Sequence, residues 1–366
     1  MDRLKSIRLR GYKSFLDAEM QFNDVTVMLG ANGAGKSNMV SFFRMLNFIS
    51  TGALQHYVNQ NGGSDSLLHY GRKTTPQMQV DLGFEGEGKT THYKIRLADA
   101  APDTLIFTDE RAIFHEEGHP KPQDILLGAG HKESQLKESK KKTCRVLFYM
   151  LSQCRVYQFH DTSPTARIRK KGNIEEASYL LSDAGNLAAF LRILQKSHSD
   201  HYQRTVDTVR LVFPFFGDFV LEPSPDNDKY ILLNWREKGR PDYLLGPHQL
   251  SDGTLRFMAL AALFLQPSSE LPSVIIIDEP ELGLHPYAIT VLAGLVKSVS
   301  VERQVVLATQ STRLVDEFEP DQIVVLKPDK ESGSKCERLK PDKLSEWLEE
   351  YSLSELWEKN IFGGRP

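Results

Sequence analysis

Gly30-Ala31-Asn32-Gly33-Ala34-Gly35-Lys36-Ser37 carries the spacing G-x-x-x-x-G-K-[ST]. Glycines let a backbone wrap an anion with its amide N–H groups turned inward, and a helix starting at the end of the loop adds its positive dipole end. Gly30, Asn32, Gly33, Ala34 and Gly35 then line a phosphate cradle. Lys36 reaches toward the β- and γ-phosphates, and the Ser37 hydroxyl is placed to ligate Mg²⁺. Far along the chain, Asp278-Glu279-Pro280 closes the apolar run Ser273–Ile277. An Asp at such a strand end holds the coordination sphere of Mg²⁺, and a Glu beside it can polarise an attacking water as general base. The two pieces predict binding of ATP with Mg²⁺ and its cleavage to ADP and phosphate.

These side chains need elements to hold them. Val25–Leu29 is wholly apolar, as in a strand buried on both faces, and leads into the loop; Ser37–Ile49 reads as the following helix. Leu4, Ile7 and Leu9 alternate with polar residues as in an entering strand. From Gln77 to about Glu117, alternating segments such as Gln79–Phe84 and His92–Leu97 suggest antiparallel hairpins. Lys132–Met150 reads as a helix with a basic run from Lys137 to Arg145, and Cys154–Phe159 as a strand ending in the polar loop His160–Pro164. Asn186–Phe213 is mostly helical, followed by a hairpin of Phe219–Glu222 and Tyr230–Trp235 turned at Pro225–Asp228. After Leu250 the order helix, strand, helix, strand, helix is the rhythm of an open parallel sheet.

Leu250-Ser251-Asp252-Gly253-Thr254 precedes the apolar helix Leu255–Leu265, which Ser251 would cap in any protein. The segment resembles the signature loop of ABC-type ATPases. That resemblance makes Ser251, Asp252 and Gly253 the signature residues and implies that Ser251 and Gly253 face the γ-phosphate bound on an opposite subunit; Asp252 and Thr254 depart from the usual Leu-Ser-Gly-Gly-Gln. Glu281-Leu282-Gly283-Leu284-His285-Pro286 and Leu9-Arg10-Gly11-Tyr12-Lys13-Ser14-Phe15 resemble the D-loop and opening strand of the RecF, SMC and OLD-type branch. By that analogy Lys13 is a candidate nucleotide contact, a solvated lysine being the plainer alternative. ABC heads usually end the strand after the one that closes in Asp-Glu, here Asp278-Glu279, with a switch histidine; Val305–Thr309 is followed here by Gln310. Gln158, closing a strand, is the candidate Q-loop ligand of Mg²⁺, with an ordinary surface glutamine as the alternative. Together with the tail Leu356-Trp357-Glu358-Lys359-Asn360…Gly363-Gly364-Arg365-Pro366, these segments are similar to a bacterial family of small "predicted ATPases".

The implied fold is an α/β, ABC-type P-loop ATPase head with β-hairpin and helical insertions. Residues 1–160 form a first lobe with the P-loop, 161–249 a helical and hairpin insertion, and 250–366 a second lobe. The implied assembly is a homodimer sandwiching ATP and gating the binding of DNA or of a separate effector protein. The alternative is an ATP-dependent sensor or scaffold of a bacterial phage-defence system in which hydrolysis is incidental. A transporter subunit is disfavoured by the RecF-like opening strand and the insertions. The span between Lys36 and Ser251 lacks the heptads of a long-armed SMC machine.

The bulk properties fit a cytoplasmic protein. A net charge of -3 gives no global attraction to polyanions, so a nucleic acid would need a local patch such as Lys137–Arg145 or Arg167–Lys171. Cys144, Cys154 and Cys336 lack metal-site spacing and read as reduced thiols. No apolar run is long enough for a membrane span, and the alternating start is no signal peptide. His115-Glu116-Glu117-Gly118-His119 matches the zinc-protease pattern, but Gly118 and Pro120 deny it the helix that would align both imidazoles.

Overall fold

The computed structural model describes residues 2–329, 331 and 333–364; Met1 and the Arg365-Pro366 end of the tail lie outside them. The chain divides into two compact units. The first comprises Met1–Val156, Pro272–Ile276 and Val306–Pro366, and the second Tyr157–Leu271 and Ile277–Val305.

The first unit is built on a 12-stranded sheet. Its order begins Gln123–Gly128, Thr104–Glu116, Lys89–Ala100, Gln77–Gly86, Arg3–Tyr12, Phe15–Gln21, Gly333–Arg338, and continues Ile323–Asp329, Val25–Leu29, Gln304–Thr309, Val274–Asp278, Cys154–Tyr157. Pairing is antiparallel from the first edge as far as Ile323–Asp329, which then runs parallel to Val25–Leu29. The strand feeding the P-loop and the strand ending in Asp278 therefore flank the strand that ends at Thr309. Helix Lys36–Thr51 buries Met39, Phe42, Phe43, Leu46 and Ile49. That 3–4-residue spacing is what lays one apolar stripe on a sheet. Phe42 meets Tyr12 and Phe43 meets Phe22 edge-on, at centroid distances of 5.5 and 5.9 Å. The helix stops at Gly52, whose left-handed backbone lets its N–H close on the last turn. Phe43 is fully buried, and truncating such a phenylalanine to Ala typically costs about 3–5 kcal/mol.

The second unit packs helices Leu187–Ser197, Ser199–Val212, Asp252–Leu265 and Pro286–Ser300 together with two three-stranded sheets. Helix Asp252–Leu265 is buried almost all round, from Phe257 to Leu265 without a break. A helix of this kind is central to its unit.

Three expected elements differ from those observed. The helix expected over Lys132–Met150 begins only at Lys142 and runs to Ser152. The stretch before it is held by its side chains instead: the Glu133 carboxylate accepts the Leu54 and Gln55 amides at 2.6 and 3.0 Å, and Ser134 donates to buried Glu110 at 2.5 Å. The strand expected to reach Phe159 ends at Tyr157, because the Gln158 amide leaves the ladder for the Ser182 carbonyl at 2.8 Å. The single hairpin expected over Phe219–Trp235 is shared between two sheets: Phe219 pairs with Trp235 in one, Pro223 with Ile231 in the other. The pair His115 and His119 sits at a strand end and the turn after it, with no helix, and no cluster of metal-ligating side chains occurs among the described residues. Cys144, Cys154 and Cys336 are free thiols, and burial pushes the Cys154 thiol up to about 12. No helix among the described residues is long and apolar enough to cross a membrane.

Candidate functional site

In the first unit, Gly33 and Gly35 take left-handed backbone, at φ 81° and 111°. A Cβ at Gly35 would also lie 2.7 Å from the Ser334 hydroxyl and 3.0 Å from that of Ser14, so this position needs glycine on two counts. Helix Lys36–Thr51 starts directly behind it with no side-chain cap, so the amides of its first turn remain available to an anion. Asn32 and Gly33 are exposed on the loop and Ser37 in the first turn of the helix, whereas Ala34 is buried. Lys36 is 5% exposed, and its ammonium folds back on the loop, donating to the Gly30 carbonyl at 2.5 Å and the Ala31 carbonyl at 3.0 Å.

Lys13 lies in the same unit, held left-handed at φ 44° and donating to Ser41 on the P-loop helix at 2.7 Å. Burial, helped by nearby Arg44, pushes its ammonium down from the ordinary lysine value. Lys13 and Gly33 help line one open cleft beside the loop, with Ser14, Tyr70, Asp329 and Ser334. Gln310 is exposed just past the strand Gln304–Thr309, ahead of Ser311, which caps the short helix Thr312–Val315.

In the second unit, Asp278 is 5% exposed, and its Oδ2 accepts the Gln158 amide nitrogen at 2.6 Å. The two residues expected to serve one metal thus meet. His160 Nε2 lies 2.8 Å from the Asp278 carbonyl and fastens the loop after Gln158 to the same strand end. Glu279 takes φ 44°, a left-handed geometry costing a non-glycine residue about 1–3 kcal/mol, of the kind that clusters at functional sites.

Ser251 caps helix Asp252–Leu265, its hydroxyl accepting the Thr254 amide at 3.1 Å. Asp252 departs from the common signature for a visible reason. Its Oδ1 receives Arg169 at 2.7 Å, and this guanidinium, 6% exposed, also donates to the carbonyls of Thr162 at 2.7 Å, Leu250 at 3.2 Å and Pro247. The hydrogen bond from Arg169 holds the Asp252 carboxyl below the usual carboxylate range. Gly253 packs on the following loop so closely that a Cβ there would overlap the Gly283 carbonyl. Arg169, His160 and Arg256 escaped the sequence reading as site residues. The nearest signal was their place in or beside segments already singled out.

The basic segment Arg167–Lys171 is largely neutralised within its unit: Arg167 pairs with Glu176 and Asp183 at 3.3 Å, Arg169 with Asp252, and Lys171 with Asp226 at 2.6 Å. Lys137, Lys140, Lys141, Lys142 and Arg145 of the first unit, by contrast, are exposed and make no ion pair among the described residues.

Residues 166–316 match a family model described as "AAA domain, putative AbiEii toxin, Type IV TA system". The stretch includes Ser251, Asp278 and Gln310 and leaves the P-loop outside. No curated protein matches the chain. Among solved structures, an Smc head bound to the C-winged helix domain of ScpA aligns with 94% of this chain and 99% of its own, at a TM-score of 0.61 and 17% identity. The Smc head with an extended coiled coil, bound to the C-terminal domain of ScpA from Pyrococcus furiosus, aligns with 96% and 99%, at 0.60 and 16%. Likeness at such identities is likeness of fold. The chain thus has the mixed α/β fold of these Smc heads, whose name is theirs and not this chain's.

Proposed function

We propose that this head binds ATP with Mg²⁺, hydrolyses it to ADP and phosphate, and forms a homodimer around the nucleotide. The observation that carries the reading is the uncapped start of helix Lys36–Thr51 behind left-handed Gly35. A loop that sets glycines at positive φ and leaves helix-start donors open is built for an anion. In this reading Lys36 exchanges its two loop carbonyls for phosphate oxygens. Asp278 and Gln158 of the second unit offer a carboxylate and an amide oxygen, and Ser37 of the first a hydroxyl, each a hard-oxygen ligand of the kind Mg²⁺ takes. The metal, when bound, neutralises charge on the phosphates. Gln158 serves it by presenting its oxygen in place of the nitrogen that now faces Asp278. Glu279 orients and deprotonates the water, and Gln310 donates an amide hydrogen bond to the γ-phosphate. Ser251 and Gly253 serve the nucleotide held by the second copy. Calorimetric titration with ATP and Mg²⁺ tests the binding, and light scattering of the same samples tests the dimer; no heat and no change of mass would overturn both.

What the head gates is a separate matter. The unpaired run Lys137–Arg145 supports DNA, through phosphate contacts whose affinity falls steeply with salt. Mobility shifts with ATP present, from low to physiological salt, test this; an absence of any shift at low salt removes DNA. The description of the family matched by residues 166–316, "AAA domain, putative AbiEii toxin, Type IV TA system", supports instead the role in bacterial defence. In that case a Glu279→Gln protein keeps its cellular effect without turnover.

A further inference from the structure

Arg256 lies on helix Asp252–Leu265, one turn past the signature residues, and its guanidinium reaches two other segments of the same unit. Nε donates to the Phe159 carbonyl at 3.0 Å, and Nη2 to the His160 carbonyl at 2.8 Å and the Thr162 hydroxyl at 3.2 Å. Nη1 donates to the Leu282 carbonyl at 2.9 Å. No carboxylate takes part, so charge neutralisation is not what these bonds supply. They supply the geometry of a planar fork, which a lysine cannot reproduce.

The neighbouring glycines complete the arrangement. Gly283, at φ +75°, would with a Cβ stand 2.7 Å from Arg256 Nη1, and Gly253 has no room for a Cβ against the Gly283 carbonyl. Phe159 and His160 belong to the loop fastened to Asp278 by Gln158 and His160. The start of the signature helix, the loop after Gln158 and the loop Glu281–Pro286 are thus held at one arginine.

We propose that Arg256 is a positioning residue for hydrolysis: it sets where Ser251 is presented relative to the Asp278 strand end and the Glu281–Pro286 loop of the same protomer. The role rests on the ATP-sandwich reading, and its structural half stands apart from it. With the fork gone, each segment keeps its own fold and nucleotide affinity, while the registration among them is lost. Turnover, which needs all three in place, then falls without a matching change in binding.

The test uses the full chain as wild type, Arg256→Ala, Arg256→Lys and Gly283→Ala, with Gly294→Ala as control because its Cβ would meet nothing within 4 Å. Hydrogen exchange in Arg256→Ala and Gly283→Ala is expected to accelerate about tenfold in segments 159–163 and 282–285 and to stay unchanged in helix Lys36–Thr51. In the same two variants kcat falls about tenfold or more, the ATP dissociation constant stays within about twofold, and the double variant is no worse than either alone. Arg256→Lys recovers only part of the loss, and Gly294→Ala behaves as wild type. Unchanged exchange in both segments overturns the proposal, and so does loosened exchange with wild-type kcat. A wild-type protein that neither binds nor cleaves ATP overturns the ATPase reading instead, and the exchange data still decide whether Arg256 registers the three segments.

Discussion

The P-loop helix and the signature helix each begin with residues assigned to a phosphate, and they are prepared in opposite ways. Lys36–Thr51 starts behind Gly35 with no side-chain cap. Asp252–Leu265 starts behind Ser251, whose hydroxyl already accepts the Thr254 amide and shares a second hydrogen bond with the Thr254 hydroxyl at 2.8 Å, while Arg169 grips Asp252. A serine cap contributes about 1 kcal/mol to its helix, so the second start is stable with no ligand, whereas the first has donors to spare. The contrast teaches a division of labour. In the proposed reading the P-loop, with Lys36, is the receptor, and the signature loop is a surface pre-formed for presentation to a second copy. The first should bind alone, and the second should matter only once two copies meet.

The comparison breaks hardest at Lys36. Lys36→Ala is expected to weaken ATP binding about a hundredfold, the upper range for a charged hydrogen-bond donor, as read by nucleotide titration. Equal affinity would remove the receptor half. Ser251→Arg tests the other half: Glu279→Gln alone should gain mass with ATP, and adding Ser251→Arg should leave the ATP affinity of the single protomer intact and abolish that gain. A mass gain that survives the arginine would mean that the signature loop does not face a second copy.

Gln310 sharpens the picture with a smaller effect. Glutamine can donate to a γ-phosphate but cannot carry a proton. Gln310→Ala should lower turnover about ten- to a hundredfold while leaving affinity near wild type, and Gln310→His should be tolerated. Wild-type turnover in Gln310→Ala would show that this residue only ends its strand. The smallest effect is a null one with a definite sign. Arg169 depresses the Asp252 carboxyl, so the ion pair contributes in full above the unfolded carboxylate value and is lost only as pH falls through the lower folded one. Turnover should therefore show no inflection from this pair between about pH 5 and 9, whereas Asp252→Asn should weaken the hold of Arg169 at every pH.

Much of this contrast was legible in the sequence because it is written in contiguous residues. The P-loop, the strand-end Asp278-Glu279 and the capping Ser251 each announce themselves within a few positions, and the fold class follows from the apolar runs around them. Arg169, His160 and Arg256 do not. Their partners are mostly backbone carbonyls, which carry no residue identity, and Arg256 reaches one of them across 97 positions of chain. Asp252 looked like a defect in the signature until Arg169 was seen beneath it. The stretch Lys132–Lys141 has good helix formers, yet Glu133 and Ser134 are claimed by other segments, and tertiary bonds of that kind override local propensity.

The most direct test of the account is phosphate release by wild-type protein and by Glu279→Gln, measured with bound ATP quantified in the same samples. The account predicts steady release by wild type, and a Glu279→Gln protein that retains ATP and releases phosphate at least about a hundredfold more slowly, the usual loss on removing a general base. Equal release by the two proteins, or none by wild type with Mg²⁺ and ATP present, would contradict it.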